Sequence, residues 1–402
     1  MSDLGRIYAL QGIRAFAYGF GSVLVGASLA GAGLSSGEVG VILFSLLAGS
    51  ALTVLLFTRR ADRAGRRRVY AMLLAAMGAS GAVFALTDSM ALLVAAGLTG
   101  TLSVDVLETG PFTSIEQAML PEAAAGPQGS ARAFGVYNAI GALAGSAGAV
   151  AAAGPPLLRR AVPGAPPPQR FLLLYAVAAV VSLVLLSKLS SRVEAGRSPG
   201  DGPALSRSRG PVLRLAGLFA IDSFGGGFVV QSFIVYWFVR ELGASPELMA
   251  VVMGATGLIQ AGSFLLAPRI ARRIGLLNTM VFTHLPSNIV LALIPLAPNL
   301  PVALALLLLR FPLSQMDVPT RQAYLALLAG RDERAAAASV TNAARRIARP
   351  LSAPIAGGAV GSALPGLPFF LAGGIKTVYD IVLWAWFRRI PVEIRPQRRP
   401  GR

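Results

Sequence analysis

Apolar runs of about 20 residues recur along this 402-residue chain, separated by charged or Pro/Gly-rich breaks. A run of that length is what a helix needs to cross the hydrocarbon core of a bilayer. Twelve such segments can be read, at roughly 8–33, 38–57, 69–87, 90–112, 134–157, 170–190, 212–239, 246–267, 277–297, 300–320, 340–362 and 366–387. Composition agrees with that reading. Charged residues make up 13% and apolar residues 54%, with mean hydropathy +0.65. A soluble domain carries about 25% charged residues. The expected fold class is therefore all-α, a polytopic membrane protein. With Cys absent, thiol catalysis, disulfides and thiolate metal sites are excluded, and one His leaves little for a zinc centre.

The basic residues give the expected orientation. Of 36 Lys and Arg, twenty-six fall in or beside the N-terminus, the even-numbered loops and the C-terminal tail. Four, Arg159, Arg160, Arg170 and Arg240, fall on the other side. Basic loops stay in the cytoplasm, so both termini are expected there. The net charge of +18 then needs no nucleic acid; anionic lipid is partner enough. Nothing before the first segment resembles a cleaved signal.

The longest polar break, Ser191 to Pro211, reads as a cytoplasmic linker. It divides the chain into an N-terminal six-helix bundle (1–190), the linker (191–211), a second six-helix bundle (212–387) and a basic tail (388–402). The two halves repeat at an offset of roughly 205–210. IRAFxxGF from Ile13 matches IDSFxxGF from Ile221, and ADRAG from Ala61 matches ARRIG from Ala271. Gln117-Ala118 matches Gln322-Ala323, and Asn138-Ala139 matches Asn342-Ala343. At four matched positions the charge reverses: Arg14 against Asp222, Asp62 against Arg272, Asp105 against Arg310, Glu116 against Arg321.

The segment TRRADRAGRRR, Thr58 to Arg68, resembles the loop signature of the major facilitator superfamily. Asp62, Arg63, Gly65, Arg66 and Arg67 fit it; Thr58 stands where the family has Gly. GPFTSIEQAML (Gly110 to Leu120), Tyr137-Asn138 and DVPTRQAY (Asp317 to Tyr324) resemble a bacterial branch of that family. The resemblance implies two pseudo-symmetric bundles of six helices and a secondary transporter working by alternating access. It also implies a cytoplasmic gate. There Asp62 would face the start of the eleventh segment or Arg345 and Arg346, and Arg66 would meet Glu116. Arg272 and Arg321 are their sign-reversed counterparts in the other half.

An ionisable group in hydrocarbon costs roughly 2.5–3.5 kcal/mol on insertion scales, so it faces a partner or a cavity. Segments one, four, seven and ten, which line the cavity in the superfamily, carry Arg14, Asp105, Glu108, Asp222, Arg310 and Asp317. Depth matching pairs Arg14 with Asp105 and Asp222 with Arg310. Glu108 and Asp317 are left over as candidates for reversible protonation. Tyr18, Gln231, Gln260 and Gln315 are candidate polar contacts in the cavity. His284 is expected at a structural or lipid-edge position, and Lys376 is expected to pair with Asp380 along one helix. Pro350 and Pro354 should kink the eleventh segment.

The functional expectation is an antiporter: proton-coupled efflux of a small organic solute across a bacterial inner membrane, by a monomer with no cofactor beyond an ion gradient. Uptake of an organic anion on Arg14 and Arg310 is the alternative, as is a receptor or scaffold on the same fold. An ATP-driven pump lacks its phosphate loop, since Gly373-Gly374-Ile375-Lys376-Thr377 has Ile where Gly is required. No HExxH or GxSxG suggests a membrane enzyme.

Overall fold

The computed structural model describes residues 2–105, 110–123, 126–190, 193, 205–360 and 364–390; side chains of 57–64, 121–122, 126–132, 330–331, 335 and 360 lie outside the description. Among the described residues there is no strand. The first half holds α1 (Asp3–Gly31), α2 (Ser36–Ala64), α3 (Arg66–Leu86), α4 (Met90–Leu98), α5 (Pro111–Ala123), α6 (Gly126–Ala151), α7 (Gly154–Ala161) and α8 (Leu174–Ser187). The second holds α9 (Arg209–Gly227), α10 (Gln231–Leu242), α11 (Pro246–Ile274), α12 (Leu276–Leu293), α13 (Leu300–Gln315), α14 (Asp317–Leu328), α15 (Gly330–Ala348), α16 (Ala353–Val360) and α17 (Leu367–Phe387).

Ten described spans are long and apolar enough to cross a membrane. The expected fourth and eleventh segments differ. Residues 90–123 are divided between α4 and α5, and residues 330–360 between α15 and α16 around a 3₁₀ turn at Arg349–Ser352. Pro350 and Pro354 bring about the second break, as their ring geometry requires. Segment seven is also divided, between α9 and α10. Irregular backbone is tolerated at membrane depth only where protein or a cavity satisfies it.

Local chemistry sets the helix ends. The Ser2 hydroxyl accepts from Gly5 N at 3.2 Å, which starts α1 five residues before the expected boundary. Ser35 and Glu38 form a reciprocal capping box on α2. Ser245 caps α11 and Asn299 caps α13, each with Pro in the first turn. Gly65 and Gly275 turn the chain between α2 and α3 and between α11 and α12, with φ of 92° and 87°. Only glycine adopts such angles without strain, so the ADRAG/ARRIG match in the sequence is a match in backbone conformation.

Side chains facing outward, such as Leu265 (73% exposed) and Val180 (61%), are apolar and suit lipid. Close helix approach depends on small residues, as expected where the surrounding lipid is as apolar as the side chains. The extensive packing between halves is α1 on α10, α6 on α11 and α2 on α16, all toward the face away from the chain termini. At the termini's face, α5 packs on α1, α2, α3 and α6, while α14 packs on α9, α11, α12 and α15.

Candidate functional site

The first buried cluster belongs to the N-terminal half. Arg14 on α1 reaches Glu116 on α5, with Nη2 at 2.6 Å from Oε2 and Nε at 3.3 Å from Oε1. The hydroxyls of Tyr70 (α3) and Tyr137 (α6) donate to the same carboxylate, one to each oxygen. Arg14 also contacts Gln11 and the Tyr137 hydroxyl, and stacks 5.4 Å from the Tyr18 ring and 5.7 Å from Phe112. Glu116 is fully buried, and each of its oxygens is satisfied, which is what such burial demands.

This corrects two expectations. Arg14 does not pair with Asp105, because α4 ends at Leu98 and the irregular backbone that follows carries Asp105 away from the depth a continuous helix would give it. Nor does Glu116 meet Arg66. Arg66 Nη1 donates to the carbonyls of Ala118 (3.2 Å) and Val193 (3.3 Å), tying the end of α5 to the chain beyond α8. Its neighbour Arg67 donates to the Ser187 carbonyl at 3.2 Å.

The second cluster is in the C-terminal half and is larger. Asp222 on α9 receives Lys376 Nζ from α17 at 2.5 Å and Arg321 Nη1 from α14 at 3.4 Å, with His284 Nε2 at 3.9 Å and Arg345 at 4.0 Å. Arg321 also binds Asp317 at 2.9 Å. On α12, His284 Nδ1 lies 3.0 and 3.1 Å from the two oxygens of Asp380, and Asn288 Nδ2 donates to Asp380 at 2.8 Å.

Three further expectations are corrected here. Asp222 takes Lys376 and Arg321 rather than Arg310; Asp317 is neutralised by Arg321 rather than left over. Lys376 spans to α9 instead of pairing with Asp380, while His284 is buried in the polar cluster, the structural rather than the lipid-edge of its two expected places. The i, i+4 faces His284/Asn288 and Lys376/Asp380, on neighbouring apolar segments, were the available signal. Read separately, each explained itself; α12 packs against α17, so they meet.

The sign reversal does hold at the level of pairs. Arg14 matches Asp222 and Glu116 matches Arg321, and each half joins its own two: Arg14 to Glu116, Asp222 to Arg321. The same joint is built twice with the charges exchanged.

Between the halves, three broken segments converge on one carboxylate. Asp105 Oδ1 accepts the backbone N–H of Gln231 at 2.9 Å, capping the start of α10, and its other oxygen binds Arg349 at the break before α16. A carboxylate at a helix N-terminus is favoured by the orphan N–H groups there. Next to it, the Val104 carbonyl accepts from Ser232 N at 3.0 Å, and the Ser232 hydroxyl donates to the Ser22 carbonyl at 2.8 Å. If this joint favours the observed arrangement, Asp105→Asn should loosen it. Paired with Arg349→Gln in a double-mutant cycle, it should show coupling of about 0.5–3 kcal/mol in thermal stability. Additive losses would mean that the two charges act separately.

The remaining candidates are scattered. The Tyr18 hydroxyl donates to the Thr101 carbonyl at 2.9 Å, and Gln260 donates to Gln315. Gln231 is buried at the α10 start. Arg310 is buried without an ion pair among the described residues. Arg272 is exposed and Arg346 partly buried. Glu108, and the side chains of Asp62 and Arg63, lie outside the described residues. The sequence reading missed Glu333, whose carboxylate accepts from the backbone and hydroxyls of Ser206 and Ser208 and so fixes the entry to α9. Those donors hold its pKa below the usual carboxylate range.

Comparison with known proteins places this architecture. Residues 7–353 match the family model of the Major Facilitator Superfamily. The chain is 25% identical to the uncharacterized membrane protein YJR124C of Saccharomyces cerevisiae over 434 residues, covering 98% of this chain and 96% of that one. Solved structures similar in fold include the nucleoside transporter NupG in a D323A mutant form, with a TM-score of 0.73, 13% identity, and coverage of 96% and 100%. A D-xylose-proton symporter gives 0.71 at 15% identity, covering 97% and 99%. A bacterial homolog of the human lysosomal transporter Spinster, inward-facing and unoccupied, gives 0.66 at 13% identity, covering 96% and 95%. The family match spans both halves, and the chain belongs to the major facilitator superfamily of membrane transporters.

Proposed function

We propose that this protein moves a small organic solute by alternating access, driven by protons, in the export direction, across a bacterial plasma membrane with both termini in the cytoplasm. The observation that carries the reading is where the halves touch. Their packing is concentrated at the face away from the termini, where Gly26 lies against Ser232, Gly40 against Gly357 and Gly254 against Ser146. Arg160 and Glu247 add an ion pair there at 3.2 Å. With the orientation taken from the basic loops, this is an inward-facing arrangement. Such contacts are small-residue and noncovalent, so they can be exchanged for a second set at the other face. The bacterial placement rests on the resemblance of the motifs; the full-length relative is from yeast. The apolar interior with sparse charges suits an amphipathic solute.

Proton coupling finds its support in the C-terminal cluster. With Asp317 neutralised by Arg321, the proton role passes to Asp380 and His284, leaving Glu108 as the other candidate. The His284 imidazole lies between the Asp380 and Asp222 carboxylates, with Lys376, Arg321 and Arg345 gathered around Asp222.

The absence of native Cys makes the test clean. Spin labels at Gln117→Cys and Gln322→Cys, on α5 and α14, should give two distance populations in liposomes, and Arg207→Cys should label from the cytoplasmic side and Gly164→Cys from outside. A single population under every condition leaves the receptor or scaffold reading. Flux indifferent to a pH gradient, or unchanged in its pH dependence by Asp380→Asn, removes the proton from this site.

A further inference from the structure

Arg310 stands apart from the other deep cations. Arg14 faces Glu116, Arg321 faces Asp317, Lys376 faces Asp222 and Arg349 faces Asp105. Arg310, in the apolar run of α13, is 8% exposed and forms no ion pair with any described residue. Its Nε is enclosed and has no hydrogen-bond partner. Among the described residues the Phe311 ring lies 5.6 Å from its guanidinium.

Its position is informative. The guanidinium forms no ion pair with Asp222, in its own half, or with Asp105, in the other. Both carboxylates are already committed to Lys376, Arg321 and Arg349. A buried guanidinium without a counter-charge lowers stability, and an apolar residue there would not. Such a cost persists where a ligand supplies the missing group.

We propose that Arg310 receives the anionic group of the solute and that the solute is a small organic monocarboxylate. The planar fork of a guanidinium matches a carboxylate through two parallel N–H···O bonds. A single uncommitted cation balances a single negative charge, whereas a phosphate monoester brings nearly two. Arg14, the other expected anion receptor, is excluded because Glu116 already occupies it. The proposal rests on the transporter reading for its biological sense but not for its test, since binding is measured at equilibrium without flux.

The experiment uses the purified full chain. Benzoate and hexanoate are compared with benzamide and hexanamide, with phenyl phosphate as a third arm, by thermal melting against ligand concentration. The carboxylates should raise the melting temperature saturably and the amides should not. Arg310→Gln should weaken benzoate binding at least about tenfold, as expected for loss of hydrogen bonds to a charged group, with Arg310→Lys intermediate. Without ligand, Arg310→Leu should melt higher than the unaltered protein, a readout that survives if Arg310→Gln folds poorly. The proposal is overturned if no carboxylate stabilises, if amides do so equally, if Arg310→Gln binds unchanged, or if ligand-free Arg310→Leu melts lower. Stronger stabilisation by phenyl phosphate overturns the carboxylate assignment. Carboxylate binding with a single spin-label distance population would sink the transporter reading and leave Arg310 as an anion site.

Discussion

Arg14→Ala should destabilise the N-terminal half by about 3–5 kcal/mol, the cost of breaking a buried ion pair from one side. The carboxylate of Glu116 would stay buried with only the Tyr70 and Tyr137 hydroxyls to hold it. α1, α3, α5 and α6 all contribute to that one carboxylate, so the loss spreads through the half. Poor yield and a lower melting temperature are the expected readouts. Replacing both partners, Arg14→Met with Glu116→Leu, should recover part of the loss by removing both charges, though it leaves two tyrosine hydroxyls without their acceptor. The sign reversal of the repeat suggests a sharper test. Exchange to Arg14→Asp with Glu116→Arg copies the Asp222/Arg321 arrangement of the other half. It should melt higher than either single exchange. Additive losses in both cycles would show that the pair is not a unit.

How much of this was legible in the sequence follows from what each inference assumed. The apolar runs depend on local chemistry, and ten of the twelve expected segments are described spans long and apolar enough to cross a membrane, while the ADRAG/ARRIG match carries the glycine turns at 65 and 275. The repeat is visible because matched positions keep both depth and backbone geometry. The partners of the buried charges were a different problem. Pairing by depth assumed that every segment is one continuous helix with 1.5 Å of rise per residue. That assumption fails from Leu98 to Asp105, and Asp105 therefore joins α10 and Arg349 instead of Arg14. The His284–Asp380 cluster was hidden for another reason. Local i, i+4 pairing explains Lys376 and Asp380 without any neighbour, and nothing in one sequence says that α12 packs on α17. Arg310 was found as a charge, but its lack of a partner is a statement about three dimensions.

Those two kinds of charge also divide the labour. Joints such as Arg14–Glu116 lie wholly within one half and move with it. Asp105 to Gln231 and Arg349 crosses between halves, so the proposed alternating access requires that it break or be rebuilt. A rigid-body transition needs both: strong joints inside each body and weaker, replaceable ones between them.

The replaceable contact with the largest expected effect is the glycine pair of α2 and α16. A Cβ on Gly40 would stand 2.8 Å from Gly357 Cα and 3.1 Å from the Ala353 carbonyl; a Cβ on Gly357 would overlap Gly40 and the Ser36 carbonyl. Both obstacles are backbone, which cannot turn aside as a side chain can. Gly357→Val therefore has two outcomes open to it: separate the helices at this face, or strain the closed state. Overpacking of this kind costs roughly 1–3 kcal/mol, enough to change the ratio of two states by about 5–150-fold. The population should shift toward the state open at the face away from the termini. Labels at Gly37→Cys and Gly358→Cys, where added atoms meet open space, should report a longer distance. Under the proposed rigid-body motion of the halves, the Gln117→Cys/Gln322→Cys distance at the other face should shorten in the same sample. Gly357→Ala should give a smaller shift in the same directions, and Gly374→Val, at a position with no neighbour within 4 Å, should give none. A folded Gly357→Val protein with both distance distributions unchanged would mean that α2 and α16 are not part of the closing surface. A longer distance at one face with no change at the other would mean that they separate locally, and that the two halves do not rock as units.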